Sequence, residues 1–260
     1  MGEVYERLRD VLRASRPVAL ATVVSGPHVG AKLLVEAGSE PVGTLGDPGL
    51  DRVVGRDAAG ELEAGLTSTR HYGPHGEARE RDVSVFIESF VRPPRMLIFG
   101  AVDFTASLAR NAKLLGYQVT VCDARSVFAT RARFPMADSV VNDWPDRYLA
   151  TVGAELGPRD AICVLTHDAK FDVPALVSAC ATTVGYIGAM GSRRTHEKRV
   201  VRLREAGLTD TDIERIMSPI GLDLGARTPE ETAVSICAEI IARRTGRAAP
   251  SLRDSTGPIH

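Results

Sequence analysis

Arg92-Pro93-Pro94-Arg95-Met96-Leu97-Ile98-Phe99-Gly100-Ala101-Val102-Asp103-Phe104-Thr105 decides the fold of this 260-residue chain. Two consecutive prolines stop any regular element and leave a stiff connector. A domain boundary is therefore placed here, with residues 1–92 before it and 93–248 after it. Met96 to Phe99 is an uninterrupted apolar run, the pattern of a parallel strand covered on both faces. After Gly100 the apolar residues from 104 to 115 take helical spacing. They stop at Gly116, the usual place of glycine just past a helix end. Strand, turn and helix in this order open a Rossmann-like unit.

The same rhythm continues downstream. Strands are expected at 118–122, 138–141, 161–165 and 184–187, with helices between them at 145–149 and 173–181. Further helices are expected at 194–206, 210–217 and 229–243. The last has Thr228 as N-cap, Pro229 at its first position and Glu231 completing a capping box. The fold class is α/β: a C-terminal Rossmann-like, doubly wound parallel sheet with a smaller N-terminal α/β domain. In that N-terminal domain a helix starts at Met1, and β-like runs at 18–24, 31–35 and 41–46 alternate with glycine-rich turns. Residues 67–72 and 83–90 form a hairpin pair. Residues 249–260 are expected to be a disordered tail.

Composition narrows the function. Hydrophobic residues are 44% and charged residues 25% of the chain, enough for a packed core. A net charge of −1 lacks the basic excess of a nucleic-acid binder. No apolar run approaches the ~20 residues of a membrane helix, and the charged start does not read as a signal peptide. A cytoplasmic location is expected. Cys122, Cys163, Cys180 and Cys237 have no metal-ligand spacing and read as buried, reduced thiols. His71 and His75 lack a third ligand and read as surface residues, so no metal site is assigned.

Four stretches are candidate contacts. At the first turn, Gly100 is the only glycine of the Gly-x-Gly-x-x-Gly pattern that is present; Val102 stands where the pyrophosphate needs bare backbone, and Asp103 adds negative charge there. Asp123 lies about where a ribose-binding acid would sit. NAD(P) binding is therefore not expected, although a nicotinamide-dependent oxidoreductase is the alternative function. The second stretch, Gly188-Ala189-Met190-Gly191-Ser192-Arg193-Arg194-Thr195, offers two glycines for tight turning, Ser192 to cap a helix, and Arg193 and Arg194 in its first turn. Arginine at a helix N-terminus opposes the dipole unless an anion binds there. The rival reading is a solvated basic face continued by Lys198, Arg199, Arg202 and Arg204. Third, Asp223 and Arg227 in the 219–231 turn are either ligand contacts or an internal ion pair. Fourth, His167 and Asp168 follow a strand end, where parallel sheets bind ligands. No catalytic residue is assigned.

The runs 188–195 and 219–231, together with Thr166-His167-Asp168, Leu97-Ile98-Phe99-Gly100, Gly30-Ala31-Lys32 and Gly43-Thr44-Leu45-Gly46, resemble the xanthine dehydrogenase accessory factor family of XdhC/CoxI type. The resemblance covers nearly the whole chain. It implies an accessory protein rather than an enzyme, binding the molybdenum cofactor (molybdopterin type) and serving a molybdenum hydroxylase apoenzyme such as xanthine or carbon monoxide dehydrogenase. A cysteine desulfurase is a further implied partner, and a homo-oligomer is an open expectation. The chain departs from the family pattern twice. Gly100-Ala101-Val102-Asp103-Phe104 replaces the usual Gly-Ala-Gly-His-Val, and Gly49 stands where members carry a cysteine.

Overall fold

The computed structural model describes residues 2–77 and 80–256. The chain divides at the double proline into two units, Met1–Arg92 and Pro93–His260.

The first unit is a five-stranded antiparallel sheet with one helix on each face. Its elements are α1 (Gly2–Arg13), β1 (Val18–Ser25), β2 (Lys32–Glu36), β3 (Val42–Thr44), α2 (Pro48–Ala64), β4 (Ser68–Tyr72) and β5 (Val83–Phe90). Strand order is β3-β2-β1-β5-β4. Strand alternation assigns the faces. Ala19, Ala21 and Val23 of β1 join Leu50, Val54, Ala58 and Leu62 of α2, while Val18 joins Val4 and Val11 of α1. The expected hairpin pair is present, with Tyr72 opposite Val83.

Helix α2 is not signalled by the sequence pattern. Its buried apolar stripe is a single file at Leu50, Val54, Ala58 and Leu62, and Gly49, Gly55 and Gly60 dilute the helical signal. Local chemistry starts and stops it: the Asp47 carboxylate accepts from the amides of Gly49 and Leu50, and Gly65 ends it in the left-handed region.

The second unit contains β6 (Arg95–Phe99), α3 (Asp103–Leu114), β7 (Gln118–Cys122), β8 (Ser139–Val141), α4 (Pro145–Val152), β9 (Ala161–Val164), α5 (Ala169–Cys180), β10 (Tyr186–Ala189), α6 (Arg193–Glu205), α7 (Asp210–Glu214), β11 (Ile216–Met217) and α8 (Pro229–Thr245). Every strand pair in it is parallel, in the order β11-β10-β9-β6-β7-β8. This is the doubly wound arrangement expected from the sequence. Helices α3 and α8 cover one face, and α4, α5, α6 and α7 contribute to the core on the other.

Two expectations need correction. The stretch 210–217 is not one helix: α7 ends at Glu214, and Ile216 and Met217 extend alongside Ile187 and Gly188 as an edge strand. Ile216 is buried in that position, as an apolar side chain at a sheet edge under a helix would be. The fifth strand runs over Tyr186–Ala189 rather than 184–187, which carries Gly188 out of the turn and into the sheet. In the C-terminal stretch Leu252–Asp254 makes one exposed 3-10 turn; the part of the expected disorder that falls on 257–260 lies outside the described residues.

Candidate functional site

In a doubly wound sheet, ligands bind beyond the carboxyl ends of the strands where the chain reverses direction, here between β6 and β9. Gly100 follows β6 at φ 111°, and a Cβ on it would lie 2.7 Å from Thr166 Cγ2 beyond β9. The crevice floor is thus closed by direct packing of the two turns.

The first turn is engaged with itself. The Ala101 amide donates to Asp123 Oδ2 at 2.8 Å, and the Val102 amide to Thr105 Oγ1 at 3.3 Å. Asp123, only 3% exposed, is also held by the Arg125 amide and by its guanidinium, through Nε at 2.9 Å and a terminal nitrogen at 2.7 Å. Burial pushes the Asp123 pKa up, but these donors outweigh it and hold the carboxylate below its ordinary range. The position expected to meet a ribose is therefore filled by Arg125, which lies 4.6 Å over the Phe128 ring. Asp103 is exposed at the start of α3.

The second turn has its amides open. Gly191, at φ 146°, leads into Ser192, whose hydroxyl accepts from the Thr195 amide at 3.1 Å. The Arg193 and Arg194 amides have no acceptor among the described residues, as expected of a first turn. Both side chains are exposed and neither forms an ion pair there. Gly188 does not belong to this turn. It is buried inside β10, where Ile220 and Tyr186 fill the space its Cβ would need.

Two cavities flank the turn. One, of about 440 Å³, has an apolar lining of Phe104, Met190, Pro219 and Ile220, with Ser192 and Thr195 at its polar side. The other, of about 400 Å³, lies between α5 and α6 and is lined by Arg194, Lys198, Arg199 and Arg202. His167 and Thr195 line both. Gly191, Ser192, Arg194 and His167 are thereby brought together, and Arg193 stands beside them, exposed. Asp168 instead caps α5, accepting from the Lys170 amide. Asp223 and Arg227 are exposed and form neither an ion pair with each other nor part of either cavity lining; the Arg227 amide donates to Glu231.

A buried network behind the site is not apparent in the sequence. Arg199, which the sequence places on a solvated basic face, is 4% exposed. It donates to Asp172 Oδ2 at 3.0 Å, to the Met190 carbonyl at 2.7 Å and to Ser218 Oγ at 3.0 Å. Thr166 donates to the other oxygen of Asp172. Burial raises the Asp172 pKa, opposed by Thr166 and Arg199. One guanidinium thus ties together the segments that follow β9, β10 and β11. The signal in the sequence is the four-residue spacing of Arg194, Lys198 and Arg202, which sets Arg199 apart on another face.

The cysteines take no part in the site. All four are buried, and burial pushes their thiols up, Cys122 to about 12 and Cys180 and Cys237 to about 11. In the first unit, a Cβ on Gly49 would lie 2.7 Å from the His75 carbonyl oxygen, so the place of a cysteine side chain is filled. The His75 ring bonds Asp47 at 2.8 Å, and His71 bonds Ser84. The hydrogen bond to Asp47 raises the His75 pKa. Among the described residues no helix is long and apolar enough to cross a membrane.

Comparison with known proteins agrees with this architecture. The chain is 30% identical over 243 residues to a probable xanthine dehydrogenase subunit of Bacillus subtilis, covering 92% of this chain and 64% of that protein. Over 99 residues it is 32% identical to the molybdenum cofactor insertion chaperone PaoD of Escherichia coli, covering 38% of this chain and 31% of PaoD. The chain thus spans less than two thirds of the length of either relative. A solved structure, a xanthine dehydrogenase from Bacillus halodurans, shares the fold with a TM-score of 0.53 at 20% identity, over 95% of this chain and 97% of that one. Residues 3–73 match the XdhC and CoxI family and residues 96–240 match the XdhC Rossmann domain. The chain belongs to the XdhC and CoxI family.

Proposed function

We propose that this chain is an accessory protein that binds the molybdenum cofactor and passes it to the apoprotein of a molybdenum hydroxylase, of xanthine or carbon monoxide dehydrogenase type, in the cytoplasm. The observation that carries the proposal is the α6 N-terminus, where two unpartnered amides and unpaired arginine side chains adjoin an apolar cavity. The donor set fits the cofactor: amides and guanidinium groups suit a phosphate dianion, and Phe104, Met190 and Ile220 suit a flat ring system. Ser192 and Arg193 would hold the phosphate, with Arg194 and His167 at the side. The molybdenum chemistry is what the cofactor supplies to the enzyme that receives it; these residues bind and orient it. The insertion chaperone among the relatives supports the delivery role. A cysteine desulfurase is the further partner that the family implies.

The first turn does not favour the nicotinamide alternative. The amides and the acid that would meet a dinucleotide at the first turn are engaged by Thr105, Asp123 and Arg125.

The test is cofactor affinity. An arginine contact to phosphate contributes roughly 1.5–3 kcal/mol. Arg193→Ala is therefore expected to weaken binding by about tenfold to a hundredfold, with an unchanged melting curve because the side chain is exposed and unpaired. Unchanged affinity in that variant would remove the α6 N-terminus from the site.

A further inference from the structure

The cavity between α5 and α6 holds an unbalanced charge. Arg194, Lys198 and Arg202 enter its lining from a single face of α6, each four residues after the last. None of the three forms an ion pair among the described residues. The paired arginines of that helix are Arg199, on Asp172, and Arg204, on Asp210. Of the acids at the cavity, Asp172 is engaged by Arg199 and the neighbouring Asp168 by Lys170, while Glu197 of α6 is not part of the lining. Like charges at this spacing weaken a helix. Here three of them gather at a concavity of about 400 Å³ in a chain whose net charge is −1.

We propose that this cavity is a second phosphoryl-binding site, separate from the amides of the α6 N-terminus and built from side chains. Its chemistry suits a phosphate ester or a diphosphate. Arginine supplies a planar fork, lysine a point charge, and a single dianion leaves one of the three cations uncompensated. From Arg194 to Arg202 the helix rises about 12 Å, a length that matches more than one phosphoryl group. Because His167 and Thr195 line both cavities, the phosphoryl group here belongs either to the molecule seated at the α6 N-terminus or to a separate phosphorylated small molecule.

The experiment is calorimetric titration of the full chain with inorganic phosphate and with pyrophosphate at low and high salt. Two double variants are compared, Lys198→Gln with Arg202→Gln in the cavity and Ser192→Ala with Arg193→Ala at the helix start. The wild-type chain is expected to bind pyrophosphate more tightly than phosphate. The cavity variant is expected to lose at least tenfold in pyrophosphate affinity with a melting temperature no lower than that of the wild type, and salt should narrow the difference in affinity. Two phosphate sites, each deleted by its own variant, identify a separate ligand. One pyrophosphate site weakened by both variants identifies a single bridging molecule. Wild-type pyrophosphate affinity in the cavity variant, or no saturable binding of either anion, overturns the proposal. Cofactor binding through Arg193 is read in a different variant, so either idea can fail alone.

Discussion

Arg199 shows how much of this site depends on one buried cation. Replacing it with alanine leaves the Asp172 carboxylate in the interior without its partner, and breaking a buried pair in this way costs about 3–5 kcal/mol. Chemical denaturation of Arg199→Ala should show that loss, and Arg199→Met with Asp172→Leu should recover most of it. The cost should also shrink in mildly acidic buffer. The Asp172 pKa is already raised by burial, it rises further without Arg199, and protonation then removes the stranded charge. Asp123 behaves in the opposite sense. Its pKa is held below the ordinary carboxylate value, so it contributes stability above that range and loses it as pH falls through the depressed value. In Arg125→Ala the guanidinium's contribution is lost and the pKa climbs, while the amides of Ala101 and residue 125 still donate, so acid unfolding followed by circular dichroism should have its midpoint at higher pH than in the wild type. Asp123 also marks where residue-level reading stops. Its spacing from Gly100 puts it at the end of the second parallel strand, but the partner that occupies it, Arg125, is fixed by backbone geometry two residues on. In the same way the spacing on α6 sets Arg199 and Lys198 on different faces but does not say which of the two turns inward. That division depends on α5 presenting Asp172 to α6.

At the scale of elements, those whose sides are both buried were legible, and those that lie on a surface were less so. Strands β6, β7 and β9 are apolar throughout because helices cover both faces, and a continuous run reads as such. Helix α8 announced itself by its cap: Thr228 accepts from the Glu231 amide, and Glu231 accepts from the Thr228 amide. Helix α2 had a cap as strong at Asp47, but its interior glycines concealed the helix behind it. One of them, Gly60, is exposed, helical and has open space around its missing Cβ. Gly60→Ala should therefore stabilise the protein by about 0.5–1 kcal/mol, chiefly by restricting the unfolded chain, seen as a higher midpoint in urea with an unchanged slope. A lower midpoint would mean that α2 is not helical at that position.

The molecule as a whole is two units, each with a core closed within itself: residues 4–91 supply the clusters of the first, and residues 96–240 those of the second. A fragment of residues 93–260 is therefore expected to unfold cooperatively by itself, with calorimetric and van't Hoff enthalpies in agreement; a broad, non-cooperative melt would count against its independence. The boundary was readable because two prolines cannot be accommodated inside an element. Both sheets also end in short strands. The edge strands β3, β8 and β11 hold only three, three and two residues, and the fourth edge, β4, holds five. Unpaired edges are templates on which further chains add, and short ones give an incoming strand little to grip. Brevity at three of the four edges protects an open-sheet protein from polymerising with its own copies, so lengthening one of those strands with apolar residues should create fibres or precipitate before it disturbs the candidate site.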